Sequence, residues 1–204
     1  MQNWKTSVIS SSRDRLRESA KLLIAERGFE AATTAAICRL AGTSQSQLIK
    51  HFTDKQGLLE AIFQYAWEQI NPAVRLATES IASPREKFKI LVDMVLGYLE
   101  KDREIRTLFL LEGRRIRGDG HMVVLVPGFL EFVKMVDGIL KELADRGELA
   151  PSLHPQAFRS GLMGAVEGML RDQMLARTSR FPASYSEAQI RVLVSTFVSA
   201  CMSS

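Results

Sequence analysis

The chain has 204 residues, 46% hydrophobic and 25% charged, with a net charge of +4. This composition is ordinary for a globular protein. It contains no apolar run of the roughly 18 residues that a membrane span needs, no apolar secretory core in MQNWKTSVISSS, and only two distant cysteines, Cys38 and Cys201, which suggest neither a disulfide framework nor a zinc site. A cytoplasmic protein is expected, with Cys38 a small buried hydrophobe.

Helical periodicity dominates, and no stretch alternates convincingly with period two. Leu16, Ala20, Leu23 and Ile24 line one face of a helix over 13–27, opened by a capping box at Ser11 and Asp14 and stopped by Gly28. Two short helices follow, 34–41 and 45–51, capped by Thr33 and Ser44. A long helix begins near Thr53 or Asp54, through a Thr53–Gln56 capping box or an Asp54 cap alone, and Pro72 is a point where it can kink or end. Further helices are expected over 84–101, 104–116, Phe129 to Ala144, 155–177 and 186–202, with a turn around Gly118-Asp119-Gly120. The fold class predicted is all-α. A helix-turn-helix domain over 1–60 precedes a larger helical body over 61–204, and the boundary falls inside the long helix.

Thr33 to Phe52, TTAAICRLAGTSQSQLIKHF, is the most informative stretch. Ile37, Leu40 and Ala41 form the apolar side of the first short helix, and Leu48 and Phe52 that of the second, with Gly42 in the turn between them. This is the pattern of a helix-turn-helix, whose second helix offers its outer face to a DNA major groove. Gln45, Ser46, Ile49 and Lys50 point outward, with Gln47 and His51 at the margins. Glutamine can pair with adenine, lysine can reach guanine or phosphate, and an apolar side chain can meet a thymine methyl. Gln47 has two roles open to it, base contact or completion of a capping box with Ser44. Residues 1–60 carry a net charge of +3 and the remainder +1, a modest basic excess on the side that phosphate contact requires.

Residues 13–60 resemble the N-terminal domain of the TetR family of bacterial transcription regulators. The resemblance rests on Arg27-Gly28-Phe29-Glu30-Ala31, Thr33-Thr34, Ile37, the turn Ala41-Gly42-Thr43-Ser44, Leu48-Ile49-Lys50-His51-Phe52, Asp54-Lys55 and Leu58-Leu59. It implies that Thr33, Thr34 and Lys55 touch phosphates. Ile49 and His51 stand where the family often has tyrosine, and Thr43 replaces a common valine. Ile49 cannot make a hydroxyl–phosphate contact. It either reads a thymine methyl or packs against a neighbouring helix, while His51 is a candidate to take over a phosphate contact.

One small reader contacts too few bases for tight, specific binding, so a homodimer on a palindromic operator is expected. Helix 155–177 is apolar almost all round and carries Gly161, Gly164 and Gly168; with Leu193 and Phe197 of the last helix, these are the candidate dimer contacts. The resemblance implies that these two helices pair with their symmetry mates, and that the other helices of the body enclose a small-molecule effector. Candidate effector residues are Met94, Phe109, Glu112, Arg115, Phe129, Phe132, Met135, Met163 and Glu167. Met and Phe stripes are also ordinary core, and Glu112 with Arg115 can form a simple ion pair. The function expected is that of a ligand-responsive transcription regulator, in the family's manner a repressor, with no metal and no cofactor. Two rivals remain at this level. One is a helical interaction module without DNA binding, suggested by Ile49, Ala35 and Ala36. The other is an all-α enzyme, against which stand three unclustered histidines and the lack of a phosphate loop or nucleophile elbow.

Overall fold

The computed structural model describes residues 11–113 and 125–202. Nine α-helices occur among them: α1 Ser12–Arg27, α2 Thr34–Ala41, α3 Gln45–Phe52, α4 Lys55–Thr78, α5 Pro84–Lys101, α6 Arg103–Leu111, α7 Pro127–Asp145, α8 Pro155–Thr178 and α9 Glu187–Cys201. The described residues form no strand, only an isolated bridge between Leu149 and Met202. The architecture is all-α, as the sequence predicts.

The helix limits follow from local chemistry. Ser11, Thr33, Ser44, Ser83 and Ser186 each cap a helix, accepting a hydrogen bond from the backbone N–H three residues on. Asp54 alone caps α4, its Oδ1 accepting from the Gly57 N–H at 2.8 Å, while Gln56 turns away to donate to Glu60. Pro72 does not end α4, which continues to Thr78. The short helix after Asp102 ends at Leu111, so Glu112 is a turn residue; Ile116 and the Gly118–Gly120 turn lie outside the described residues.

Two compact units emerge. The first takes residues up to Ala66 and from Arg103 to Val126; the second takes Trp67–Asp102 and Pro127–Ser204. A cut near residue 60 assigns α6 to the body, whereas the unit division places it with α1. Packing within the first unit explains this. Phe109 of α6 stacks on Phe63 of α4 with centroids 5.2 Å apart. Glu112, only 3% exposed, accepts a hydrogen bond from the Phe29 N–H at 3.2 Å. A buried backbone donor needs a partner, and α6 carries one to the loop between α1 and α2. In the same unit, Leu16, Ile24, Ile37, Leu48 and Leu58 are buried.

In the second unit, Trp67 of α4 stacks on Phe132 of α7 at 4.7 Å. Phe88, Leu91, Leu140, Phe158, Leu162 and Val194 extend that core through α5, α7, α8 and α9. Arg191 of α9 grips both carboxylate oxygens of Glu100 of α5 at 2.8 Å, and this bidentate pair holds its guanidinium above the ordinary arginine pKa.

Removing the Glu112 carboxylate strands a buried N–H. Glu112→Leu is expected to cost about 1–3 kcal/mol in urea denaturation, and Glu112→Gln less, because its amide oxygen can still accept.

Candidate nucleic-acid interface

The turn between α2 and α3 is built around Gly42, whose φ of 60° and ψ of 42° are left-handed. Its N–H donates to the Arg39 carbonyl at 3.2 Å, and the Thr43 N–H donates to the Cys38 carbonyl at 3.0 Å. These paired bonds end α2 sharply. Ile37, Cys38 and Ala41 are buried beneath the turn, and burial pushes the Cys38 thiol up. A protonated thiol in this setting is packing rather than a nucleophile. Leu40 corrects one expectation: it is 54% exposed, on the outer side of α2 instead of the apolar side.

Leu48 and Phe52 anchor α3, leaving Gln45, Ser46, Ile49 and Lys50 exposed and Gln47 and His51 half-buried. Eight residues rise about 12 Å, a length the major groove accommodates. Ile49 is 61% exposed, so it does not pack in the core of its own unit. The Ser44 hydroxyl accepts from the Gln47 N–H at 3.4 Å and shares a hydrogen bond with Ser46 at 2.8 Å. The return bond of a capping box is not formed, and the Gln47 amide stays available to a base edge. Thr33 caps α2 with its side chain and Thr34 opens the helix, where free N–H groups suit a phosphate.

Two residues offered for phosphate contact are engaged elsewhere. His51 Nε2 shares a hydrogen bond with Ser12 Oγ at 2.9 Å, tying the end of α3 to the start of α1. Lys55 Nζ donates to the Phe29 carbonyl at 2.7 Å and the Glu30 carbonyl at 3.4 Å, above the Phe29 ring. Phe29 is thus gripped at its carbonyl by Lys55 and at its N–H by Glu112. Sequence reasoning passed over Arg13 and Arg39, both exposed in the same unit. Helical spacing could have found Arg39, which lies four residues after the exposed Ala35.

A family model, "Bacterial regulatory proteins, tetR family", matches residues 16–62. These residues carry the turn, the reading helix and the start of α4 described above. The chain carries the N-terminal domain of the TetR family. A fatty acid metabolism regulator protein of Bacillus subtilis is 21% identical over 180 residues, 87% of this chain and 91% of that protein. Among solved structures, the fatty acid degradation regulator FadR from Bacillus halodurans superposes with a TM-score of 0.78 at 20% identity, covering 91% of this chain and 96% of that one. FadR from Bacillus subtilis, solved in complex with stearoyl-CoA, gives 0.79 at 17% identity, covering 93% and 98%. The two structures share the fold. With that domain, the chain is a DNA-binding transcription regulator and not an enzyme. No described helix is long and apolar enough to cross a membrane.

The expected effector residues of this regulator divide between its units. Phe109 and Glu112 sit in the first, stacked on Phe63 and bound to the Phe29 N–H. Arg115 lies outside the described residues. Met94, Phe129, Phe132, Met135, Met163 and Glu167 belong to the second unit, where Phe132 is buried and the others are half-buried. Phe129 and Phe132 converge on Trp67, at 5.4 and 4.7 Å. The expected dimer glycines, Gly161, Gly164 and Gly168, have nothing within 4 Å of a Cβ placed on them. Leu193 is 54% and Phe197 41% exposed beside Val192 at 66%, so the last helix buries Ile190, Val194 and Val198 and turns a second apolar face outward.

The junction from α3 to α4 is strained. Thr53 has φ 68° and ψ −54°, with the Asp54 N–H donating to the Phe52 carbonyl at 2.7 Å. This is a γ-turn of the rarer hand, disfavoured for a β-branched residue. A Cβ on Gly57 meets that carbonyl at 2.1 Å, so the turn also requires glycine in the first turn of α4. Thr53→Gly is expected to raise the melting temperature by about 2–4 °C as strain of about 1 kcal/mol is relieved, whereas Gly57→Ala lowers it. Differential scanning calorimetry measures both.

Proposed function

We propose that this regulator is a cytoplasmic homodimeric repressor. It binds a palindromic operator through α3 and leaves it when a small, largely apolar effector enters the second unit. The observation that carries the reading is the outer face of α3, where Gln45, Ser46, Gln47, Ile49 and Lys50 stand clear on a helix seated by Leu48 and Phe52. Lys50, Arg39 and the N-termini of α2 and α3 supply phosphate contacts, while Gln45, Gln47 and Ile49 meet base edges. His51 and Lys55 hold the reader in position. The outward apolar face of α9 and the bare glycines of α8 support dimerisation, because closing such a face against its symmetry mate buries it without a second kind of partner. The apolar character of the effector is supported by the Trp67–Phe129–Phe132 cluster and by the stearoyl-CoA bound to the Bacillus subtilis relative. In this division of labour, the N-terminal residues read DNA and the body holds effector and dimer contacts.

Fluorescence anisotropy with DNA from upstream of the chain's own gene tests the reading. Affinity is expected to fall steeply as salt rises, through counterion release. Ile49→Ala is expected to lose about 1–3 kcal/mol at operators with a thymine under residue 49 and little elsewhere. A uniform loss over all sequences would show that Ile49 does not read a base. In analytical ultracentrifugation, Leu193→Glu combined with Phe197→Glu is expected to yield monomers, and a dimer that survives this change would move the interface elsewhere.

A further inference from the structure

Asn71 is a polar side chain in the apolar core of the second unit. It lies on α4, four residues after Trp67 and therefore on the same helical face, and is 3% exposed. Its Nδ2 donates to the Gly128 carbonyl at 2.9 Å, at the start of α7 and one residue before Phe129. That bond settles which end of the amide is which, because a carbonyl can only accept and a flipped amide would set oxygen against oxygen. The oxygen Oδ1 is then buried with no hydrogen-bond partner. Among the described residues of the second unit it is the one buried side-chain atom left so; the other buried polar side chain there, Gln173, donates to the Tyr185 carbonyl at 2.8 Å. A stranded acceptor in an apolar core opposes folding, and leucine would fill the space without that penalty.

We infer that Asn71 Oδ1 is the polar anchor of the effector site, and that the effector is an apolar or aromatic molecule presenting an uncharged O–H or N–H donor to it: an alcohol, a phenol or an amide. The inference rests on the second unit being the effector-binding body. An acceptor oxygen selects against a carboxylate or phosphate at this position, since two electron-rich oxygens repel. No counter-charge offsets this one turn further along α4, where Arg75 is already paired with Glu131. Trp67 lies one turn before Asn71 and Phe129 directly follows its partner Gly128; these rings, with Phe132 stacked on Trp67, suit the apolar portion.

A matched series tests the anchor: 4-butylphenol, butylbenzene and 4-butylbenzoate, titrated into the full-length protein. The chain has two tryptophans, so Trp4→Phe leaves Trp67 as the only one reporting. The phenol is expected to bind at least about tenfold more tightly than either other compound. In Asn71→Leu its advantage over butylbenzene falls below about twofold, with butylbenzene affinity preserved. Asn71→Ser, which keeps a small hydroxyl, serves if the leucine variant does not fold, and is expected to shrink the advantage likewise. Equal binding of phenol and butylbenzene to the parent protein, or an advantage that survives in the variants, overturns the role of Asn71 and leaves the effector site standing. Failure of all three compounds to bind overturns both.

Discussion

An eight-residue helix does not persist in water by itself, because nucleation consumes more backbone entropy than two turns of hydrogen bonding return. The outer face of α3 depends on Leu48 and Phe52 being buried as the helix packs on α1 and α2. The left-handed Gly42, the Ser44 cap and the γ-turn at Thr53 fix where the helix begins and ends. Function imposes the opposite demand on the other half of the same helix. Under the proposed reading, Ile49 and Lys50 stay in water until a groove replaces it, which accounts for an exposed isoleucine that folding alone would not select.

The loop after α1 shows how the rest of the first unit serves this demand. Phe29 inserts its ring into the core, which draws its backbone out of water. Lys55 answers at the carbonyl and Glu112 at the N–H. Polar side chains that could have been spent on DNA or effector are spent on satisfying a buried peptide, where a missing partner costs as much as a good hydrogen bond contributes. His51 belongs to the same logic, since its bond to Ser12 orients α3 against α1. The second unit presents the contrary case at Asn71, a buried amide answered at one end only.

Most of the helical layout was legible in the sequence. Caps such as Thr33 and Ser44 and stops such as Gly28 and Gly147 are local chemistry, acting within four residues, so a linear reading finds them. Periodicity likewise assigned Leu48 and Phe52 inward and Ile49 and Lys50 outward. It failed at Leu40, because an eight-residue helix has room for more apolar residues than its one buried face can hold. Spacing also does not separate the two faces of α9: of Ile190, Leu193, Val194 and Phe197 the chain buries the first and third and exposes the others.

The sequence by itself determined the class of fold, the reading head and its family, because these depend on residue spacing and on turn chemistry that acts locally. Tertiary structure alone decided what Glu112, Lys55, His51 and Asn71 do. Glu112 lies 83 positions from Phe29, and Asn71 lies 57 from Gly128. Hydrogen bonds between groups so far apart have no periodic signature. They exist only because packing buries both groups together and removes the water that would otherwise have satisfied each of them.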